Sequence, residues 1–218
     1  VKYIGNTFIL GDSYSTFTGY IPKEYVSYYS EVEREDTDVN SVTQTWWHQV
    51  LQSTDSQLLK NCSYSGTTIS NTGYNGKDCS HNSFIARFDK LIEKSFFNEN
   101  TVDTLFLFGG TNDSWADSPV GELMYSDWRK EDLFCVLPAF CYLINRICDT
   151  LPRARIICIL NTEVKTNLQE SFKDVCEKYN VEVIQLEEID KKNGHPTVEG
   201  MRQIKEQIMR YLEQSSLS

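Results

Sequence analysis

The chain has 218 residues, 40 % of them apolar and 24 % charged, a globular composition that excludes disordered and fibrous classes. That length closes one hydrophobic core, so a single domain over residues 1–218 is expected. A formal net charge of −10 argues against nucleic acid, which needs clustered Lys and Arg, and against an anionic membrane surface.

No segment approaches the roughly 20 apolar residues of a membrane-crossing helix. The most apolar stretch, residues 133–147, is broken by Pro138, Asn145 and Arg146. No charged start followed by an apolar run marks a signal peptide, and with Val1 in place of Met the compartment stays open. Seven cysteines (62, 79, 135, 141, 148, 158 and 176) form no CxxC pair and no zinc-like spacing. They are expected as small buried thiols, and no metal site is expected.

Along the chain, apolar runs alternate with helical periodicity. Residues 3–10 (YIGNTFIL) make a buried first strand that ends in Gly11-Asp12. The amphipathic stretch 43–52 precedes a weaker strand over 58–64. Residues 84–94 place Phe84, Phe88, Leu91 and Ile92 on one helical face. Residues 104–108 (TLFLF), stopped by Gly109-Gly110, have the continuous apolar character of a central parallel strand. A more apolar helix is expected over 132–150, a strand over 154–160, a helix over 168–179 and a fifth strand over 181–186. The last helix is expected to start at Pro196, with Val198, Met201, Ile204, Ile208 and Leu212 along one stripe. Strands alternating with helices imply an α/β fold, a parallel sheet covered on both faces. Two aperiodic stretches, 16–40 and 115–130, follow the first and third strands, where binding crevices form in such sheets.

Three motifs sit at these strand ends. Gly11-Asp12-Ser13 follows strand one, and a serine on a tight turn there projects its hydroxyl above the sheet edge. Gly110-Thr111-Asn112-Asp113 follows strand three, and Gly194-His195-Pro196 precedes the last helix. A nucleophilic serine needs a base suited to neutral pH. Of three histidines, His48 lies in the amphipathic stretch and His81 in a polar loop, whereas His195 falls on the same sheet edge as Ser13.

Together with Gly66 in Ser65-Gly66-Thr67, these motifs resemble the four ordered blocks of SGNH (GDSL) hydrolases, spanning residues 11–196. The resemblance implies a three-layer α/β/α, flavodoxin-like fold with five parallel strands ordered 2-1-3-4-5. It also implies Ser13 as nucleophile, His195 as base, and an oxyanion hole from the Ser13 and Gly66 N–H groups and the Asn112 amide. The chemistry expected is cleavage of a small ester, most plausibly acetyl on a carbohydrate, without cofactor or metal. Two rivals remain: an acyltransferase using the same residues, and a non-catalytic flavodoxin-like binding domain. No GxGxxG or GxxxxGK[ST] loop supports the latter.

One departure from the family pattern stands out. The aspartate usually found three residues before the histidine is Lys192 here. Either Asp190 reaches the imidazole, or a backbone carbonyl from residues 190–193 does, with Lys192 turned to solvent. Tyr14, Tyr74, Trp115 and Trp128, and also Tyr20, fall in predicted loops. They either face a sugar substrate or anchor the loops; Trp46 and Trp47 are expected to pack. Glu31, Glu33, Glu35, Asp36 and Asp38 are expected to form a solvated face, which disfavours a long-chain lipid substrate.

Overall fold

A computed structural model describes residues 3–215. In chain order the first half comprises β1 (Asn6–Gly11), α1 (Trp46–Ser53), β2 (Gln57–Ser63), α2 (Phe84–Glu93), α3 (Phe96–Glu99) and β3 (Thr104–Phe108). The second half comprises α4 (Thr111–Trp115), α5 (Val136–Thr150), β4 (Arg155–Leu160), α6 (Thr166–Lys178) and β5 (Glu182–Gln185). A hairpin of β6 (Lys191–Lys192) and β7 (His195–Pro196) then leads into α7 (Val198–Gln214).

Strands β1 to β5 form one parallel sheet in the order β2-β1-β3-β4-β5. Its two faces carry separate cores, because side chains alternate along each strand. Phe8, Leu10, Leu105, Leu107 and Cys158 pack with α2, α5 and α6. Ile9, Phe106, Phe108, Ile157 and Ile159 pack with Trp46, Trp47 and Val50 of α1 and Met201, Ile204 and Ile208 of α7. All five residues of β3 are buried, so its continuous apolar run follows from being covered twice. Burying each such Leu or Phe contributes about 1.5–3 kcal/mol relative to exposure. All seven cysteines are free thiols, and Trp46 and Trp47 are buried. Among the described residues, no helix is long and apolar enough to cross a membrane.

Three helix starts differ from expectation, and one of them, α6, simply begins two residues early, at Thr166. Residues 132–134 form a separate 3-10 turn, and α5 begins at Val136 after the extended Cys135. Pro138 then lies in the first turn of α5, where its missing N–H has no partner to lose. Pro196 is not the start of α7 but lies in β7, paired across from Lys191. The N-cap is Thr197, whose hydroxyl accepts the Gly200 N–H at 3.1 Å.

Helix α7 carries the hairpin on its first turn. Thr197 N–H donates to the Asp190 carbonyl at 3.1 Å, and that carbonyl lies directly over Gly200. A Cβ at position 200 would stand 2.0 Å from the Asp190 oxygen, so only glycine lets the two backbones approach. Gly200→Ala is therefore expected to destabilise the protein by about 1–3 kcal/mol, the usual range for an added buried methyl. Thermal unfolding reads the change; an unaltered Tm would contradict this packing.

Candidate active site

Strand register sets the floor of the site. Gly11, the last residue of β1, pairs with Ser63 at the end of β2 and with Phe108 at the end of β3. The turns leaving these strands therefore start at one height. Ser13 opens a single 3-10 turn, Ser13–Ser15, with the Asp12 carboxylate accepting the Tyr14 N–H at 3.1 Å. Trp46 Nε1 donates to Ser15 Oγ at 3.2 Å, and Asn61 Nδ2 donates to the Ser15 carbonyl at 2.7 Å.

A buried cation and two buried carboxylates hold this floor. Arg87, on α2, is 2 % exposed; it donates to the Cys62 carbonyl, to the Gly11 carbonyl at 3.1 Å and to Thr67 Oγ1 at 3.0 Å. It thus ties the ends of β1 and β2 to the loop containing Gly66. Asp113 accepts the Ile69 and Ser70 N–H groups at 2.8 and 3.0 Å and the Ser70 hydroxyl at 2.9 Å, fixing the far side of that loop. Burial pushes the Asp12 carboxyl up to about 7, against the pull of the Tyr14 N–H and of Arg87. Burial raises Asp113 as well. Arg87 occupies helical spacing between Phe84 and Leu91, on the apolar stripe, and that placement was the sequence signal of its burial.

His195 meets Ser13 across 182 residues of sequence, with Nε2 3.0 Å from Ser13 Oγ. Its Nδ1–H donates to the Asn193 carbonyl at 3.1 Å. A carbonyl can only accept, so this bond places the proton on Nδ1 and leaves Nε2 as the acceptor facing the serine hydroxyl. Burial holds the His195 pKa below its ordinary 6.5, so the neutral ring prevails at neutral pH.

The acceptor is thus the Asn193 carbonyl and not Asp190, for a reason of hairpin register. Asn193 and Gly194, both at positive φ (51° and 75°), make the two-residue turn that pairs Lys192 with His195. Asp190 then lies opposite Thr197, two rungs further along, and its carboxylate takes the Thr197 hydroxyl. Lys192 is exposed and donates to the Glu35 carbonyl, while Lys191 donates to Asn161 Oδ1, Thr162 Oγ1 and Glu163.

Asn112 lies on α4, just beyond the end of β3. Its Nδ2 donates to the Thr67 carbonyl at 3.0 Å, leaving one amide hydrogen, and its Oδ1 accepts the Tyr74 hydroxyl at 2.7 Å. Among the described residues, neither Ser13 N–H nor Gly66 N–H donates to a carbonyl. Gly66 is exposed with φ 75°.

The aromatic residues divide. Trp115 and Tyr74 are 37 % and 41 % exposed, Trp115 with its ring 5.9 Å from His195. Tyr14 is fully buried and donates to the Gly194 carbonyl, so it supports the hairpin and does not face a ligand. Trp128 packs edge-on to Tyr142 of α5 and donates to the Met124 carbonyl, anchoring the loop before α5. Tyr20 sits against Trp47. The ring stacked on His195 is Tyr28, in the aperiodic stretch 16–40 expected at the crevice, where nothing local singled out this tyrosine. The acidic run is exposed except for the half-buried Asp36, and the exposed Asp38 accepts the first N–H of α7 at 3.0 Å, a favourable place for a carboxylate.

Comparison with known proteins agrees with this architecture. The family model for GDSL-like lipase/acylhydrolase matches residues 6–212. The chain belongs to that family. Among solved structures, a protein from Bacteroides ovatus ATCC 8483 described as a GDSL-like lipase is 44 % identical, with a TM-score of 0.90 over 98 % of this chain and 100 % of that one. Another so described, from Bacteroides uniformis ATCC 8492, is 40 % identical, with a TM-score of 0.88 over 96 % of each chain. Est24, a carbohydrate acetylesterase from Sinorhizobium meliloti, shares the fold at 14 % identity, with a TM-score of 0.62 over 98 % of this chain and 100 % of that one. A search of curated proteins found no match.

In this GDSL-like hydrolase the bond from Nδ1 to Asn193 leaves Asp190 without a direct part. Asp190→Asn is expected to lower kcat by no more than about threefold, where loss of a true orienting carboxylate costs about 10⁴. Lys192→Ala is expected to be near neutral. Steady-state kinetics checks both; a loss of orders of magnitude in either variant would contradict the carbonyl assignment.

Proposed function

We propose that this GDSL-like hydrolase is a serine esterase that removes small acyl groups, acetyl above all, from carbohydrate. The observation that carries the reading is the 3.0 Å contact between Ser13 Oγ and a His195 Nε2 left free to accept. His195 takes the Ser13 proton as Oγ attacks the ester carbonyl carbon. The resulting oxyanion is met by the Ser13 and Gly66 N–H groups and the free hydrogen of Asn112 Nδ2. Collapse expels the alcohol, which takes the proton from His195, and leaves an acyl-Ser13. Water, deprotonated by the same histidine, then releases the acid and restores the serine. A transferase would differ only in replacing that water by a second alcohol.

The substrate class rests on the rim. Trp115 and Tyr74 present partly exposed aromatic faces beside His195 and Asn112, suited to stacking on a sugar ring. Fold relatives described as carbohydrate esterases, among them an acetyl xylan esterase from Butyrivibrio proteoclasticus, favour the same class. The test is kinetics on p-nitrophenyl esters of rising chain length and on acetylated oligosaccharides, with product analysis. The expected result is highest kcat/KM on acetyl esters, with acetate and free alcohol as products. In Asn112→Ala, kcat is expected to fall by about 10²–10³ with KM little changed. A preference for long acyl chains, transfer to an alcohol in place of hydrolysis, or an unchanged kcat in the variant would each contradict this reading.

A further inference from the structure

Hydrogen bonds at Nδ1 with the Asn193 carbonyl and at Nε2 with Ser13 Oγ hold the two nitrogens of the His195 ring, and neither touches the ring face. A further constraint acts on that face. Tyr28 lies flat against the imidazole, with ring centroids 3.6 Å apart and planes within 5°. Tyr14 and Trp115 approach the same ring at 5.6 and 5.9 Å, both inclined to it. Tyr28 is itself held by its neighbours. Its N–H donates to Thr16 Oγ1 at 2.9 Å, and its carbonyl accepts Arg34 Nη2 at 2.8 Å. The Arg34 guanidinium lies 5.0 Å from the Tyr28 ring centroid and pairs with Asp36 at 3.1 Å. The adjacent Tyr29 donates its hydroxyl to the Pro196 carbonyl at 2.9 Å, which ties this segment to β7.

We propose that Tyr28 is a positioning residue for His195, supplying by face-to-face contact what an aspartate supplies elsewhere: a fixed ring plane and stabilisation of the imidazolium. The inference rests on reading Ser13 and His195 as an acyl-transfer pair. The aromatic face carries partial negative charge, so it attracts the ring more strongly once His195 has taken the serine proton. The charged groups around the ring are mixed: Asp36 favours the imidazolium, whereas Arg34 and Lys191 oppose it.

The test compares wild type, Tyr28→Phe and Tyr28→Leu by kinetics on p-nitrophenyl acetate and by NMR titration of the His195 ring protons. Tyr28→Phe keeps the face and is expected to stay within about twofold of wild type. Tyr28→Leu keeps bulk without the face, and kcat is expected to fall about tenfold at pH 8 with KM little changed. Loss of a contact that favours the charged ring should also lower the His195 pKa, by roughly half a unit. The base is neutral at pH 8 in all three proteins, so lost protonation cannot imitate the kcat effect. In wild type and Tyr28→Phe the stacked ring should shift the His195 ring protons upfield, a reading that needs neither activity nor a folded Leu variant. Ring protons at free-imidazole positions, full kcat in Tyr28→Leu, or equal losses in Phe and Leu would each overturn the role of Tyr28. A wild type inactive on every ester, with the upfield shift present, would instead remove the hydrolase reading on which that role depends.

Discussion

The bond from His195 Nδ1 to the Asn193 carbonyl sets the protonation of the ring, and most of the surrounding structure serves to keep that carbonyl in place. It belongs to the hairpin's own turn, so the acceptor and the base move as one unit. The hairpin is fastened from three directions. Tyr14 holds the Gly194 carbonyl from the nucleophile turn, Tyr29 holds the Pro196 carbonyl from the first long loop, and Thr197 holds the Asp190 carbonyl from α7. A carboxylate partner would add charge stabilisation to the imidazolium; a carbonyl supplies orientation and tautomer with less.

The nucleophile side depends on charge buried beneath it. Arg87 gathers carbonyls from the ends of β1 and β2: it donates to the Cys62 carbonyl, and to the Gly11 carbonyl beside the Tyr64 N–H, which reaches that oxygen at 3.1 Å. A guanidinium has five donors in a rigid fork, and three of its contacts here join segments distant in sequence. Removing it would take the side-chain donor from the Cys62 carbonyl while the Gly11 carbonyl keeps the Tyr64 N–H, and an unpaired buried carbonyl typically costs about 1–3 kcal/mol. Asp12 lies within the influence of this cation, Asp113 is held by the Ile69 and Ser70 N–H groups and the Ser70 hydroxyl, and burial raises both carboxyls. Ser13 thus sits on a turn, and Asn112 on a short helix, that are tied to the loop containing Gly66 by buried polar contacts.

How much was legible in the sequence follows from the range of each interaction. Strands such as 104–108 were readable because a doubly covered strand is apolar at every position, and the loop ends were readable because glycines stop those runs. Ser13, Asn112 and His195 could be placed on one edge from strand order alone, and the geometry brings Ser13 and His195 into contact. The hairpin was not legible: two residues a side have no periodicity, and Pro196 carried a misleading helix-start signal. Tyr28 was hidden for a related reason, since its partner lies 167 residues away and nothing local in residues 16–40 marks a stacked ring. Tyr14 and Trp128 were candidates for substrate contact by loop position, yet one is buried under the hairpin and the other packs on α5. Loop placement alone does not distinguish a ring that faces a ligand from one that anchors the loop.

The most direct measurement of the central claim is reaction of the folded protein with a fluorophosphonate, followed by mass spectrometry of the intact chain and of its peptides. The phosphonyl group reports a serine activated by a base, whatever the natural substrate. A single adduct is expected, on the peptide containing Ser13, absent from Ser13→Ala and much slowed in His195→Ala. No adduct on folded wild type, or an adduct that persists in Ser13→Ala, would contradict the assignment of Ser13 and His195 as the reacting pair.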